Sequence, residues 1–151
     1  MTFQVTEVSW ADPEGAVLRK AQQEELDARY GIDDHEPGTP PSAADIAVFL
    51  LARDADGQAV GCGALRVLGP DSVEIKRMYV TPSARGSGVA VALLRALENE
   101  ARRRELRTLL LETGTEQPEA MRFYEREGYR PIENFGVYVG SALSRCYRRD
   151  L

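Results

Sequence analysis

Lysine is almost missing from this 151-residue chain: Lys20 and Lys76 are the only two. Histidine is rarer, with His35 alone, and cysteine stops at Cys62 and Cys146. Neither cysteine sits in a C-x-x-C spacing or has a histidine nearby in sequence, so the pattern of a zinc site is absent and no metal is expected. Both lie in strand-like runs and read as small buried thiols. Positive charge is also short: the net charge is −5, against the basic balance of a nucleic-acid binder. The one basic run, Arg102-Arg103-Arg104, falls near the end of a predicted helix, where cations complement the dipole. No apolar run approaches the roughly 20 residues of a membrane span. The opening residues lack the basic-then-apolar pattern of a signal peptide. A single domain over residues 1–151, in the cytoplasm, is the expectation.

What is present reads as alternating strands and helices. Phe3, Val5 and Val8 mark a short strand. Asp12-Pro13 reads as an N-cap followed by proline at the first helical position. That helix runs to Tyr30, with Val17, Leu18, Ala21, Leu26 and Tyr30 as its apolar side, and Gly31 stops it. The stretch from Ile32 to Ala44 is polar and proline-rich, hence a loop or a loop with a helical turn. Ile46 to Arg53 and Gln58 to Leu68 form a hairpin around Asp54–Gly57. A third strand spans Ser72 to Val80. Val89, Leu93, Leu97 and Ala101 then repeat every four residues, one face of a helix. Glu98–Arg102 and Glu100–Arg104 read as ion pairs on its wet side. Thr108 to Glu112 is a short buried strand. Pro118 to Gly128 bounds another helix, and Tyr129 to Glu133 and Leu143 to Arg149 are the last strands. A meander followed by strand–helix–strand implies an α/β (α+β) fold: a mixed, mostly antiparallel sheet of six to seven strands, with helices on both faces.

The stretch Arg85-Gly86-Ser87-Gly88-Val89-Ala90 lies between a strand and the strongest helix. Glycine permits positive φ and close backbone approach. A helix start leaves N–H groups unpaired beside partial positive charge, a ready phosphate site. Taken alone, the segment is equally an ordinary tight turn. A dinucleotide fold would want a third glycine where Val91 stands, although Glu112 does end the next strand. A Walker loop is excluded, because no Gly-Lys-Ser/Thr follows.

Arg85-x-x-Gly88-x-Ala90 resembles the acyl-CoA signature of the GNAT superfamily of N-acetyltransferases, Gln/Arg-x-x-Gly-x-Gly/Ala. Val73 to Pro82 resembles the strand and turn that precede this signature. Ala120-Met121-Arg122-Phe123-Tyr124-Glu125-Arg126-Glu127-Gly128-Tyr129 resembles the second hallmark, Ala-x-x-Phe/Leu-Tyr-x-x-x-Gly-Phe/Tyr. The pieces stand in family order and spacing, and Glu112 to Cys146 is similar to a bacterial subset of unsettled substrate. Gln117 departs from the asparagine often found there, and Ala90 is the rarer choice at its position.

The resemblance implies acetyl-CoA as co-substrate and a primary amine of a small molecule or peptide as acceptor, joined by direct attack in a ternary complex. It assigns Glu74 as base and Tyr124 as acid. A phenol can protonate a leaving thiolate at neutral pH. Lys76, two residues beyond Glu74, shares its face by period two, as would Met78 and Val80. A nearby cation weakens a carboxylate base. Glu74 could act directly, through a water relay, or by binding the ammonium alone; the alternative to any such role is a plain ion pair with Lys76, and for Tyr124 a core aromatic. Backbone groups at Met78, Tyr79 and Val80 would meet the pantetheine arm where this strand splays from the next. Arg85, Gly86, Ser87, Gly88, Val89 and Ala90 would hold the pyrophosphate, with Gln117 and Ala120 beside the arm. The segment from Tyr30 to Ala44 and the turn Phe135-Gly136-Val137-Tyr138 are the candidates for acceptor choice, with Tyr30 and Tyr138 as candidate substrate contacts. Glu24, Glu25, Asp27, Asp33, Asp34 and Glu36 could steer a cationic amine or simply be solvated. A non-catalytic acyl-CoA-binding module stays open, as does a homodimer; no nucleic acid or membrane partner is expected.

Overall fold

The computed structural model describes residues 2–151. In chain order the elements are β1 (Gln4–Glu7), α1 (Pro13–Tyr30), β2 (Ile46–Arg53), β3 (Ala59–Val67), β4 (Ser72–Val80), α2 (Val89–Arg103), β5 (Thr108–Gly114), α3 (Pro118–Arg126), β6 (Arg130–Ile132) and β7 (Ser144–Asp150). Short 3₁₀ turns occupy Pro82–Ala84 and Gly136–Tyr138. The seven strands form one sheet in the order β1-β2-β3-β4-β5-β7-β6. Every neighbouring pair is antiparallel except β4 and β5, which are parallel. The mixed, mostly antiparallel sheet with helices on both faces is thus the observed fold.

Local chemistry sets the helix ends. The Asp12 carboxylate accepts from the Gly15 N–H at 2.9 Å, satisfying one free donor of the first turn of α1. Gly31, at φ 72°, ends the helix in the left-handed region that glycine enters without a Cβ clash.

Period-two alternation in β2 divides the interior. Val48, Leu50 and Ala52 join a core with Leu93, Leu94 and Leu97 of α2 and Tyr124 of α3. Phe49 and Leu51 join Leu18 of α1, Cys62 and Tyr79 on the other side. Leu93, Leu94 and Leu97 are fully buried, each worth about 1.5–3 kcal/mol of transfer free energy. A Leu97→Ala cavity would cost about 2–5 kcal/mol.

Three expectations need correction. Val17 is 68% exposed, so α1 turns Gly15 and Leu18 inward instead. Glu98 is not on a wet face. It is 1% exposed and accepts from the Tyr129 hydroxyl at 2.8 Å and from Arg149 Nη1 at 3.0 Å. The turn into β6 and the end of β7 cover that flank of α2, which a helix-only pattern cannot register. Arg102 donates to Asn99 Oδ1 instead, whereas the Glu100–Arg104 pair is present.

The third correction concerns β4. Ala64 faces Lys76 and Cys62 faces Tyr79, so Arg77 and Met78 together oppose Gly63. This is a β-bulge, with Arg77 at φ 58°. The extra residue reverses the alternation. Lys76 and Glu74 remain on the α1 side, near Tyr138. Met78 and Val80 pack against the core that holds α2. The four do not share a face.

Candidate active site

β4 and β5 pair only from Ser72↔Thr108 to Ile75↔Leu111. Past that point β4 stays with β3 as far as Val80, while β5 stays with β7 as far as Gly114. The two strands part, and the gap leaves backbone groups on their facing edges without a ladder partner. Such groups want a ligand, a side chain or water. Gln22 of α1 supplies one side chain: its Nε2 donates to the Met78 carbonyl at 2.9 Å.

Two cavities open from this gap. The larger, about 490 Å³, runs from the turn before α2 along Met78–Val80 to Gln117, Ala120 and Tyr124. Gln22, Glu25, Leu26 and Arg29 of α1 close it from the other side. The turn is shaped by Gly86 at φ 79° and Gly88 at φ 95°, and a Cβ on either would meet no atom within 4 Å. Gly88 is the N-cap of α2 and offers no side chain to its first N–H groups. Arg85 lies beside them. Its Nε donates to the Val80 carbonyl at 3.0 Å, and its Nη2 pairs with Glu25 at 2.8 Å. The cradle therefore combines unpaired N–H groups, partial positive charge and a guanidinium, which fits a pyrophosphate.

The smaller cavity, about 90 Å³, lies toward Glu36, Lys76, Arg77, Glu112 and Thr113. It shares Gln22, Leu26, Met78, Gln117, Ala120 and Tyr124 with the larger one. Glu36 reaches in from the polar loop. It accepts from Lys76 Nζ at 2.7 Å and Arg77 Nη1 at 2.6 Å. Burial pushes the Glu36 carboxyl up, but the Lys76 and Arg77 cations more than offset this and hold it at about 2. Glu112, at the parting end of β5, accepts from Ser144 Oγ at 2.7 Å. Burial raises its pKa, only partly offset by Ser144 and Lys76. Tyr124 is 7% exposed, and burial raises its phenol as well.

The residues singled out from sequence divide clearly. Met78, Tyr79, Val80, Arg85, Gly86, Gly88, Val89, Ala90, Gln117 and Ala120 all line the larger cavity, and Tyr124 lines both. Ser87 does not; its hydroxyl folds back onto the Ala84 carbonyl. Glu74 lines neither cavity. It is 2% exposed, accepts from the Tyr138 hydroxyl at 2.6 Å and lies 3.8 Å from both Lys76 and Arg66. Tyr138 is equally enclosed, accepting from Lys76 Nζ at 3.0 Å. Tyr30 stacks on His35 with ring centroids 4.9 Å apart. Its hydroxyl occupies the place where a Cβ on Gly114 would be. Among the described residues no group of three His, Cys, Asp or Glu side chains is placed to hold a metal, and no helix is long and apolar enough to cross a membrane.

The model of the Acetyltransferase (GNAT) family matches residues 5–129. The chain belongs to this family. Membership implies acyl transfer from acetyl-CoA. An "IAA acetyltransferase" of Azospirillum brasilense is 41% identical over 104 residues, which cover 68% of this chain and 67% of the relative. A solved Klebsiella pneumoniae protein, assigned by its name to the acyl-CoA N-acyltransferases without a stated substrate, superposes with a TM-score of 0.84 at 32% identity, over 99% of this chain and 98% of its own. A GNAT family acetyltransferase from Elizabethkingia anophelis, solved with acetyl-CoA bound, has the same fold at a TM-score of 0.73 and 15% identity, over 99% of this chain and 98% of its own.

In this GNAT chain two cavity residues escaped the sequence. Glu112 reads there as the end of a strand and as the acidic residue a dinucleotide fold would want, and Gln22 draws no reading at all. Neither is marked by its motif as a site residue. Each becomes notable only because β4 and β5 part beside it.

Proposed function

We propose that the chain transfers the acetyl group of acetyl-CoA to a primary amine of a small molecule or peptide, by direct attack in a ternary complex. The observation that carries this reading is the shared wall of the two cavities, where Tyr124 stands with the phosphate cradle on one side and a carboxylate, Glu112, on the other. The larger cavity has the length and the polar end for a CoA arm. The smaller one, about 90 Å³, has room for a compact amine-bearing group.

The amine nitrogen attacks the thioester carbonyl and forms the C–N bond. It gives up a proton, and the C–S bond breaks as the thiolate departs. In this reading Tyr124, on the wall shared by the two cavities, protonates that thiolate. For the amine proton, two carboxylates line the smaller cavity, and Glu36 is held by Lys76 and Arg77, which leaves Glu112 as the better base. Its raised pKa suits a base, since Brønsted behaviour favours a pKa closer to the working pH. Glu74, the base implied by family resemblance, is the competing assignment. Its position behind Tyr138 instead suits it to hold Lys76 and Tyr138 in place. The products are an N-substituted acetamide and free CoA.

The test is a panel of primary amines incubated with acetyl-CoA, following release of CoA thiol and the acetylated product by mass. Amine-dependent release of both supports the reading. Tight acetyl-CoA binding without release for any amine would make the chain a binding module instead.

A further inference from the structure

Among the described residues of α1, Gln22 is the one whose side chain hydrogen-bonds to the parted edge of β4. A backbone carbonyl can only accept, so its bond to Met78 dictates which way the amide lies: Nε2 faces Met78. The other end, Oε1, is buried and has no hydrogen-bond partner among the described residues. An unpaired buried acceptor carries the desolvation cost of that atom with no return. The residue stands in the wall of both cavities, at the junction formed with Met78, Gln117 and Tyr124. The final torsion of glutamine is broad. The amide can therefore tilt toward a ligand while its donor stays near Met78.

We propose that Gln22 is a positioning residue for the acceptor, resting on the acetyl-transfer reading above. Its Oε1 receives an N–H of the incoming amine, while its Nε2 steadies the Met78 peptide at the bulge. One amide then links the nucleophile to the strand along which the thioester lies. An acceptor held by one N–H keeps its lone pair free for attack, provided a second group takes the proton. The preferred substrate is an amine with at least two N–H bonds, so a primary amine gains over a secondary amine of similar size.

The experiment uses the full chain with acetyl-CoA and the best acceptor from the amine panel, and compares Gln22→Met and Gln22→Glu with the parent. Methionine keeps the length and apolar stem but can neither donate to Met78 nor accept well. Glutamate keeps the acceptor and loses the donor. The expected result is that Gln22→Met binds acetyl-CoA within about twofold of the parent by calorimetry and raises KM for the amine about 2- to 10-fold, in line with a hydrogen bond between neutral groups. Gln22→Glu should retain most of the amine KM and lose kcat. The parent should prefer the primary over the N-methylated form of that acceptor, and Gln22→Met should lose the preference. A Gln22→Met protein with unchanged amine KM and unchanged preference overturns the proposal, whatever its melting temperature. If the parent itself releases no CoA with any amine, the functional reading fails, and the Gln22 proposal falls with it.

Discussion

The Tyr138 hydroxyl donates to Glu74 Oε2 at 2.6 Å and in turn accepts from Lys76 at 3.0 Å. This bond places the family-implied base inside a buried polar network, one layer behind the cavity wall. Glu74→Gln should consequently act mainly on the fold. A glutamine can still accept from Tyr138 but loses the attraction to Lys76 and Arg66, at a cost of about 1–3 kcal/mol. The expected result is a lower melting temperature with kcat within a few-fold of the parent. A variant as stable as the parent but nearly inactive would restore Glu74 as the base.

Glu112→Gln should show the opposite pattern. Loss of a general base lowers kcat/KM by about 10²–10⁴-fold, and a neutral side chain is no harder to bury. Burial raises the Glu112 pKa, with Glu36 and Glu74 adding to the rise and Ser144 and Lys76 opposing it. The base works only when ionised. The parent's kcat/KM should therefore climb as pH rises through a value above the ordinary carboxylate pKa, on top of the amine's own ionisation. Glu112→Gln should lack that limb. A pH profile of identical shape in parent and variant would discard the assignment.

Tyr124 should act on the leaving group. Tyr124→Phe keeps the ring contacts with Phe123 and Tyr129, so the fold should persist. The drop should be in kcat, about 10²–10⁴-fold, with acetyl-CoA affinity nearly intact. It should shrink for an acyl thioester whose thiol is more acidic, because that thiolate leaves unaided. Equal impairment with every leaving group would return Tyr124 to the core.

At Gly88, φ is 95° and a Cβ would meet nothing within 4 Å. Gly88→Val therefore strains the backbone by about 1–2 kcal/mol without a clash in the free protein. Its larger effect should be on acetyl-CoA, because the branched side chain stands in the phosphate cradle. Calorimetry should find affinity reduced well beyond the stability loss. Unchanged affinity would move the pyrophosphate elsewhere.

Glu36 gives a test in acid. Its carboxyl falls from an ordinary 4.5 to about 2 on folding, worth about 3 kcal/mol at neutral pH. Because the folded pKa is the lower one, this stability is complete above about pH 4.5 and is lost as pH falls toward 2. Glu36→Gln should melt about 6–12 °C lower at pH 7, with the gap closing across that acid window. A gap constant from pH 7 to pH 3 would show that Lys76 and Arg77 do not depend on it.

Much of this molecule is written locally. The Asp12 cap, the Gly31 stop, the four-residue repeat of α2 and the glycines of the phosphate turn are each decided within a few residues of chain, and each stands as the pattern implies. The strands were legible for the same reason, and the order of motifs identified the family. Other features depend on which distant segments meet. One extra residue at Arg77 turns Met78 and Val80 to the face opposite Lys76, and period-two counting has no means to detect it. The end of β7 converts Glu98 from a wet helix residue into a buried anchor. Above all, β4 and β5 part after Ile75 and Leu111, and this alone brings Gln22, Glu112 and Tyr124 to one cavity while leaving Glu74 behind Tyr138. Pairing between strands more than thirty residues apart is settled by packing of the whole sheet, so the reacting geometry belonged to the tertiary structure.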